Sequence, residues 1–191
     1  ARTTALLWNL IAPPWIPEQA ALAPPEEAES RAEAWRRAGD ARGHYLALGD
    51  LARSLARADR FHAARAAAEV MAALEDPAWG PALRCEGAQL QAELLVPGRA
   101  DLAEHGLRRA LALAEQTGDT WRVAWLRCKL AAVATAEGRV EAALRLGEQA
   151  TRALETLQRP VVLGSAWSTL CAAQLFAGDH LQWGHGLDRR K

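Results

Sequence analysis

Asp179, His180, His185 and Asp188 bring two imidazoles and two carboxylates close together near the C-terminal end. Such side chains can ligate a divalent cation. They stand, however, in a glycine-broken, charged stretch that reads as a solvated tail, and no metal site is assigned to them. Glu26, Glu27 and Glu29 follow Pro24 and Pro25 directly. Clustered carboxylates can do acid–base work, but this position marks a helix N-terminus whose dipole they complement. Arg36 and Arg37 read as a solvated helix face. Trp121 and Trp125 are four residues apart and share a face of one helix, with Trp167 on a later helix. The three read as packing, with an aromatic anchor for a partner as the alternative.

The patterns of reaction chemistry are missing. The sequence holds no G-x-x-x-x-G-K-[ST] loop, no G-x-S-x-G elbow and no H-E-x-x-H pair. The histidines at 44, 62, 105, 180 and 185 are scattered. No catalytic residue and no cofactor are expected, and the chain is not read as an enzyme. Cys85, Cys128 and Cys171 form no C-x-x-C pair, so neither a disulfide framework nor a zinc ribbon is indicated. They read as small apolar residues on buried helix faces. Free thiols suit a reducing compartment, which makes the cytoplasm the expected location.

The elements that must position any site are helices. The chain has 191 residues, 50% hydrophobic and 24% charged, the ordinary balance of a globular protein. Alanine, the best helix former, is abundant, while β-branched residues, Tyr and Phe are scarce, which argues against a sheet. Lys+Arg and Asp+Glu are both 23. That balance lacks the basic excess of a nucleic-acid binder, and no apolar run is long enough for a membrane span. Neither nucleic acid nor membrane is therefore expected as a partner.

A repeat of 40 residues organises the chain: Gly98, Gly138 and Gly178 share one column, and one step further back lies Ala58. In the same offset fall Ala52, Ala92, Ala132 and Ala172; then Ala63, Ala103 and Ala143; then Val70, Ala110 and Ala150; then Leu55, Leu95, Thr135 and Leu175. Each unit reads as helix, tight turn, helix. Glycine allows the left-handed residue that closes a helix, and alanine allows two helices to approach closely. The spacing predicts helices near 26–38, 41–57, 60–75, 81–96, 99–117, 120–137, 139–157 and 161–177. Pro77, Pro81 and Pro160 fall in breaks or first turns, where the missing N–H costs little.

These columns, with Ala92–Leu95 and Ala103–Leu107–Ala110 as the clearest set, resemble the tetratricopeptide repeat family over about residues 41–178. The period of 40 exceeds that family's repeat of about 34 residues, and the usual early Trp is absent. Long-period arrays of this texture, with phrases such as Leu111–Asp119, look like the helical regions of large bacterial ATPase-linked transcription regulators of the maltose-activator type. The resemblance implies an all-α fold, an α-solenoid of antiparallel helix pairs, over residues 26–178. It also implies a concave groove lined by the first helix of each pair. Carried over position by position, the groove holds Leu46, Glu86, Leu126 and Ala166; Gly49, Gln89, Lys129 and Thr169; Arg53, Glu93, Val133 and Ala173; Ala56, Val96, Ala136 and Phe176; and Arg57, Pro97, Glu137 and Ala177. Its candidate partner-binding residues are Arg53, Glu86, Gln89, Glu93, Lys129, Thr169 and Phe176. Only Lys129 and Arg53 could serve a carboxylate clamp, and the clamp's Asn is missing. A partner with apolar side chains and a few charges fits better. The plain alternative is that Lys129 pairs with Glu86 or Glu93 and takes Gln89 as a hydrogen-bond partner.

Both ends depart from the pattern. Residues 1–25 hold five of the nine prolines. They read as a short apolar helix and a linker, with Trp8, Trp15 and Ile16 docked on the first repeats. Residues 5–12 followed by Ala21-Leu22-Ala23 mimic a signal peptide, but Asn9 and the prolines at 13, 14 and 17 spoil it. At position 183 the alanine column meets Trp183. Residues 179–191 read as a flexible or truncated tail, which leaves the last helix without its partner and makes self-association through that uncapped repeat an expectation. The chain reads as a piece of a longer protein. The expected function is a scaffold that binds a peptide or partner protein. The alternative is a regulatory or sensory array of a larger ATP-dependent transcription regulator.

Overall fold

The computed structural model describes residues 22–95, 100–157 and 160–188. Among them are eight α-helices and no strand. They are α1 (Pro25–Ala38), α2 (Ala41–Arg57), α3 (Phe61–Ala73), α4 (Pro81–Leu95), α5 (Ala100–Thr117), α6 (Thr120–Ala136), α7 (Val140–Thr156) and α8 (Pro160–Asp188). The described residues divide into two compact units, one ending at Gly118 and the other beginning at Asp119. Among the described residues, no helix is long and apolar enough to cross a membrane.

The helix boundaries follow from local chemistry. Pro25 opens α1, with Glu26 and Glu27 in its first turn and Arg36 and Arg37 in its last, each sign matched to the helix dipole. Gly39 then takes a left-handed φ of 72° and closes α1, while Asp40 caps α2 by accepting the Gly43 N–H at 2.9 Å. The same pair recurs between α5 and α6: Gly118 has φ 67°, and Asp119 accepts the Arg122 N–H at 3.0 Å. Gly138, at φ 71°, turns the chain between α6 and α7.

In the first unit, each helix packs on the next, and α2 also touches α4. The core joins Ala28 and Ala32 of α1, Tyr45, Leu48, Ala52 and Leu55 of α2, Ala64, Ala68 and Met71 of α3, and Leu90 and Leu94 of α4. Burying a side chain such as Met71 contributes about 1.5–3 kcal/mol. Helices α4 and α5 approach closely through small residues. A Cβ added to Gly106 would lie 2.9 Å from that of Ala92, and the Cys85 thiol donates to the Ala110 carbonyl at 3.2 Å. In the second unit, α7 and α8 pack on α6 and on each other, around Ala124, Trp125, Cys128, Ala150, Leu154 and Ala166. Gly147 of α7 lies against Leu170 of α8.

Ala52, Ala92, Ala132, Ala103, Ala110, Ala143 and Ala150 are all buried, as the columns require. Helix α3 is shifted by one residue against the 40-residue offset. In α3, Ala64 and Met71 are buried in place of Ala63, which is half-buried, and Val70, which is exposed. The cause is the turn before it: the left-handed residue is Asp59, with φ 58°, one place later than the repeat placed it. Asp is among the few non-glycine residues that tolerate this conformation, and the slip rotates the buried face of α3 by one residue.

The C-terminal end also differs from the expected tail. Helix α8 runs on to Asp188 through Gly178, Gly184 and Gly186. Glycine weakens a helix without stopping it, and no proline follows Pro160. The docking expected of Trp8, Trp15 and Ile16 lies outside the described residues, as do Pro97 and Gly98.

Candidate functional site

Glu86, Gln89 and Glu93 recur at three and four residues along α4 and share one face. Arg53 reaches that face from α2. Its guanidinium donates to Glu86 and lies 3.3 Å from Asp50, one turn earlier on α2, and Gln89 Nε2 donates to Glu93 at 3.1 Å. The Arg53 side chain is 26% exposed and that of Glu86 is 35% exposed, so the pair is desolvated in part but reachable from solvent. Leu46, also on α2, is exposed. Three carboxylates (Asp50, Glu86, Glu93) stand against one guanidinium (Arg53), which makes this strip net acidic. The structure thus brings together four of the sequence-derived residues, Arg53, Glu86, Gln89 and Glu93. It adds Asp50, whose spacing of three from Arg53 was a usable signal.

A rigid cluster in the same unit holds α2 and α4 together. Tyr45 of α2 is buried; its hydroxyl donates to the Leu83 carbonyl at 3.4 Å, and its ring meets Trp79 edge-on at 4.9 Å. Gly87 of α4 exists in that form because a Cβ there would fall 1.8 Å from the Tyr45 hydroxyl. Glu75, its side chain only 9% exposed, accepts from Arg84 at 2.9 Å and also from Arg109. It ties the end of α3 to α4 and α5. Burial, and then the negative charges of Glu75 and Glu86, push the Tyr45 phenol up to about 12. No local spacing in the sequence announces this cluster, since Glu75 and Arg109 are 34 residues apart.

The remaining three candidates lie in the second unit, and two of them do not face solvent. Lys129 is 0% exposed, and its ammonium sits 4.3 Å from the Trp125 ring centroid. Trp125 in turn stacks on Trp121 at 6.4 Å. Thr169 is buried and accepts from the Cys128 thiol at 3.6 Å. Leu126, Val133, Ala166 and Ala173 are buried as well. The reason is packing: α8 lies directly against α6, so these positions are interior rather than the lining of an open surface. Burial also raises the Cys128 thiol above its ordinary range. Phe176 is 48% exposed. Of the three tryptophans, Trp125 is core, Trp121 is partly buried against that core, and Trp167 is exposed.

An open cleft of about 560 Å³ lies between α1 and α2, lined by Glu29, Glu33, Arg37, His44, Leu48 and Leu51 among others. Its Glu33 is already held by Arg36 at 2.6 Å and Arg37 at 2.9 Å. The Arg36 hydrogen bond is the main cause of a carboxyl lowered to about 2. Among the described residues, no group of three or more His, Cys, Asp or Glu side chains is arranged to hold a metal. The side chains of His180 and His185 lie outside them. No family model matches the chain, and no curated protein matches it.

Proposed function

We propose that this chain is a non-enzymatic interaction scaffold, a tetratricopeptide-like array of antiparallel helix pairs that binds a peptide or partner protein through the first helices of its pairs. The observation behind this reading is the half-exposed strip of Arg53, Glu86, Gln89 and Glu93 across α2 and α4. Its donors and acceptors satisfy one another in the free chain and can be exchanged for those of a partner. The strip is net acidic and has Leu46 beside it, so the fitting ligand is a peptide with a basic side chain and at least one apolar one. The Gly138 turn and the buried alanine columns support the repeat assignment, and Tyr45 packed against Gly87 supplies the stiffness that a preorganised binding surface needs.

The test is affinity capture from the source lysate with the full chain as bait and Arg53→Glu/Glu93→Arg as the control. A partner recovered by the wild type and lost by a folded double variant supports the scaffold. Equal recovery by both places binding elsewhere.

Helices of 17 and 18 residues in α5 to α7 make a longer repeat than the tetratricopeptide period. That favours a second reading: a regulatory or sensory array of an ATP-dependent transcription regulator. A P-loop domain or a helix-turn-helix domain encoded in the same open reading frame decides between the two.

A further inference from the structure

Helix α8 has one buried side and one open side. Ala166, Thr169, Leu170 and Ala173 face the core, while Gly164, Trp167, Ser168, Cys171, Gln174 and Leu175 are exposed. Trp167, Cys171 and Leu175 are four residues apart and form a continuous stripe along the helix. Leu175 is 71% exposed and Trp167 is 45% exposed. From Pro160 to Gly178 the sequence carries no charged residue. Forty residues back, the positions equivalent to Ser168, Cys171, Gln174 and Leu175 are Cys128, Ala131, Ala134 and Thr135, all of them buried. Ala92 and Ala132 are likewise buried, whereas Ala172, the fourth of that column, is only half-buried.

We infer that the open face of α8 is covered by the same face of a second copy of this chain, in a symmetric dimer. Three observations select that occupant. First, the face is open along the helix, with Gly164, Trp167, Ser168, Cys171, Gln174 and Leu175 all exposed, so a second α8 can lie along it. Second, an uncharged face meets its own copy without like-charge repulsion and offers nothing to a charged ligand. Third, the stripe is self-complementary. With two α8 helices antiparallel and the two-fold axis at Cys171, Trp167 of one lies over Leu175 of the other, and Ser168 lies beside Gln174. Each contact then occurs twice, as an isologous interface requires. Trp167 is the anchor, in keeping with the weight of Trp at interface centres. One helix face is a small interface, so the dimer is a weak one.

The experiment is sedimentation equilibrium of the full chain from dilute solution to about 100 µM, where micromolar affinities become visible, joined to cross-linking with a short bifunctional maleimide. Cys171 is the exposed thiol; Cys85 and Cys128 are buried. The expected result is a mass that doubles with concentration and a covalent dimer that forms in step with it. Leu175→Glu should weaken association at least tenfold, and Cys171→Ser should abolish the cross-link while leaving the mass unchanged. Cys171→Arg repeats the charge test should Leu175→Glu fail to fold. A wild type that stays monomeric throughout overturns the inference. So does a dimer indifferent to the charged variants, or a monomer whose Cys171 is protected at every concentration, which would mean that another segment of the same chain covers the face.

Discussion

Gly87 on α4 and Tyr45 on α2 occupy the same space: the volume a Cβ at 87 would take is filled by the Tyr45 hydroxyl, 1.8 Å away, with Tyr45 Cζ at 2.9 Å and Met71 Cε at 3.2 Å. Helix propensity alone favours alanine at a mid-helix glycine by up to about 1 kcal/mol. Overpacking outweighs it here, because Tyr45 is wholly buried and cannot withdraw. Gly87→Ala is expected to lower stability by a net ~1–3 kcal/mol in denaturant unfolding. The same substitution should cost less in a Tyr45→Phe background, where the clashing oxygen is gone. Equal cost in both backgrounds contradicts the contact.

Tyr45 also sets a pH dependence. Its phenol is raised to about 12 in the folded chain, against about 10 when unfolded. Above pH 10 the unfolded chain releases this proton first, so the stability contributed by Tyr45 is whole below about pH 10 and falls as pH rises towards 12. Tyr45 is the single tyrosine, so its ionisation can be followed directly by ultraviolet absorbance. The titration midpoint should lie well above that of the unfolded chain, and Tyr45→Phe should show a shallower fall in melting temperature over the same range. An ordinary midpoint in the native protein contradicts the burial.

The slipped face of α3 distinguishes two adjacent residues. Met71→Ala removes a buried side chain and should cost about 2–5 kcal/mol, whereas Val70→Ala lies on the exposed side and should stay within about 0.5 kcal/mol. Thermal denaturation of the two variants decides. The reverse order would restore the unbroken 40-residue offset.

The thiols should also separate by accessibility. Cys85 and Cys128 are buried and Cys171 is exposed, and burial further holds Cys128 in its unreactive thiol form. In dilute native solution one thiol per chain should react quickly with a maleimide, and all three after unfolding. A second fast thiol in the native state would contradict the packing of α4 on α5 or of α6 on α8.

Much of this architecture was legible because its causes are local. The Gly39–Asp40 and Gly118–Asp119 pairs stop one helix and start the next by capping chemistry that sequence shows directly. The alanine columns mark close helix contacts for the same reason. What sequence did not show depends on contacts between distant segments. Asp59 takes the turn in place of residue 58 and moves the buried face of α3 by one position. Lys129 looked like a groove residue by offset, yet its long stem and charge are accommodated within the core beneath Trp125. Glu75 gains its partners Arg84 and Arg109 only once α3, α4 and α5 are packed. The polar strip was half legible: the carried-over positions found Arg53, Glu86, Gln89 and Glu93, and missed Asp50.

The central claim is that the strip on α2 and α4 is a binding surface for a basic, partly apolar peptide. The most direct measurement is calorimetric titration of a peptide selected against the wild-type chain into wild type, Arg53→Glu/Glu93→Arg and Arg36→Glu, each first shown to be folded. The account predicts that affinity falls at least tenfold in the Arg53/Glu93 variant, about 1.4 kcal/mol or more, and holds in the Arg36 variant. Unchanged affinity in the Arg53/Glu93 variant, or equal loss in both, would contradict it.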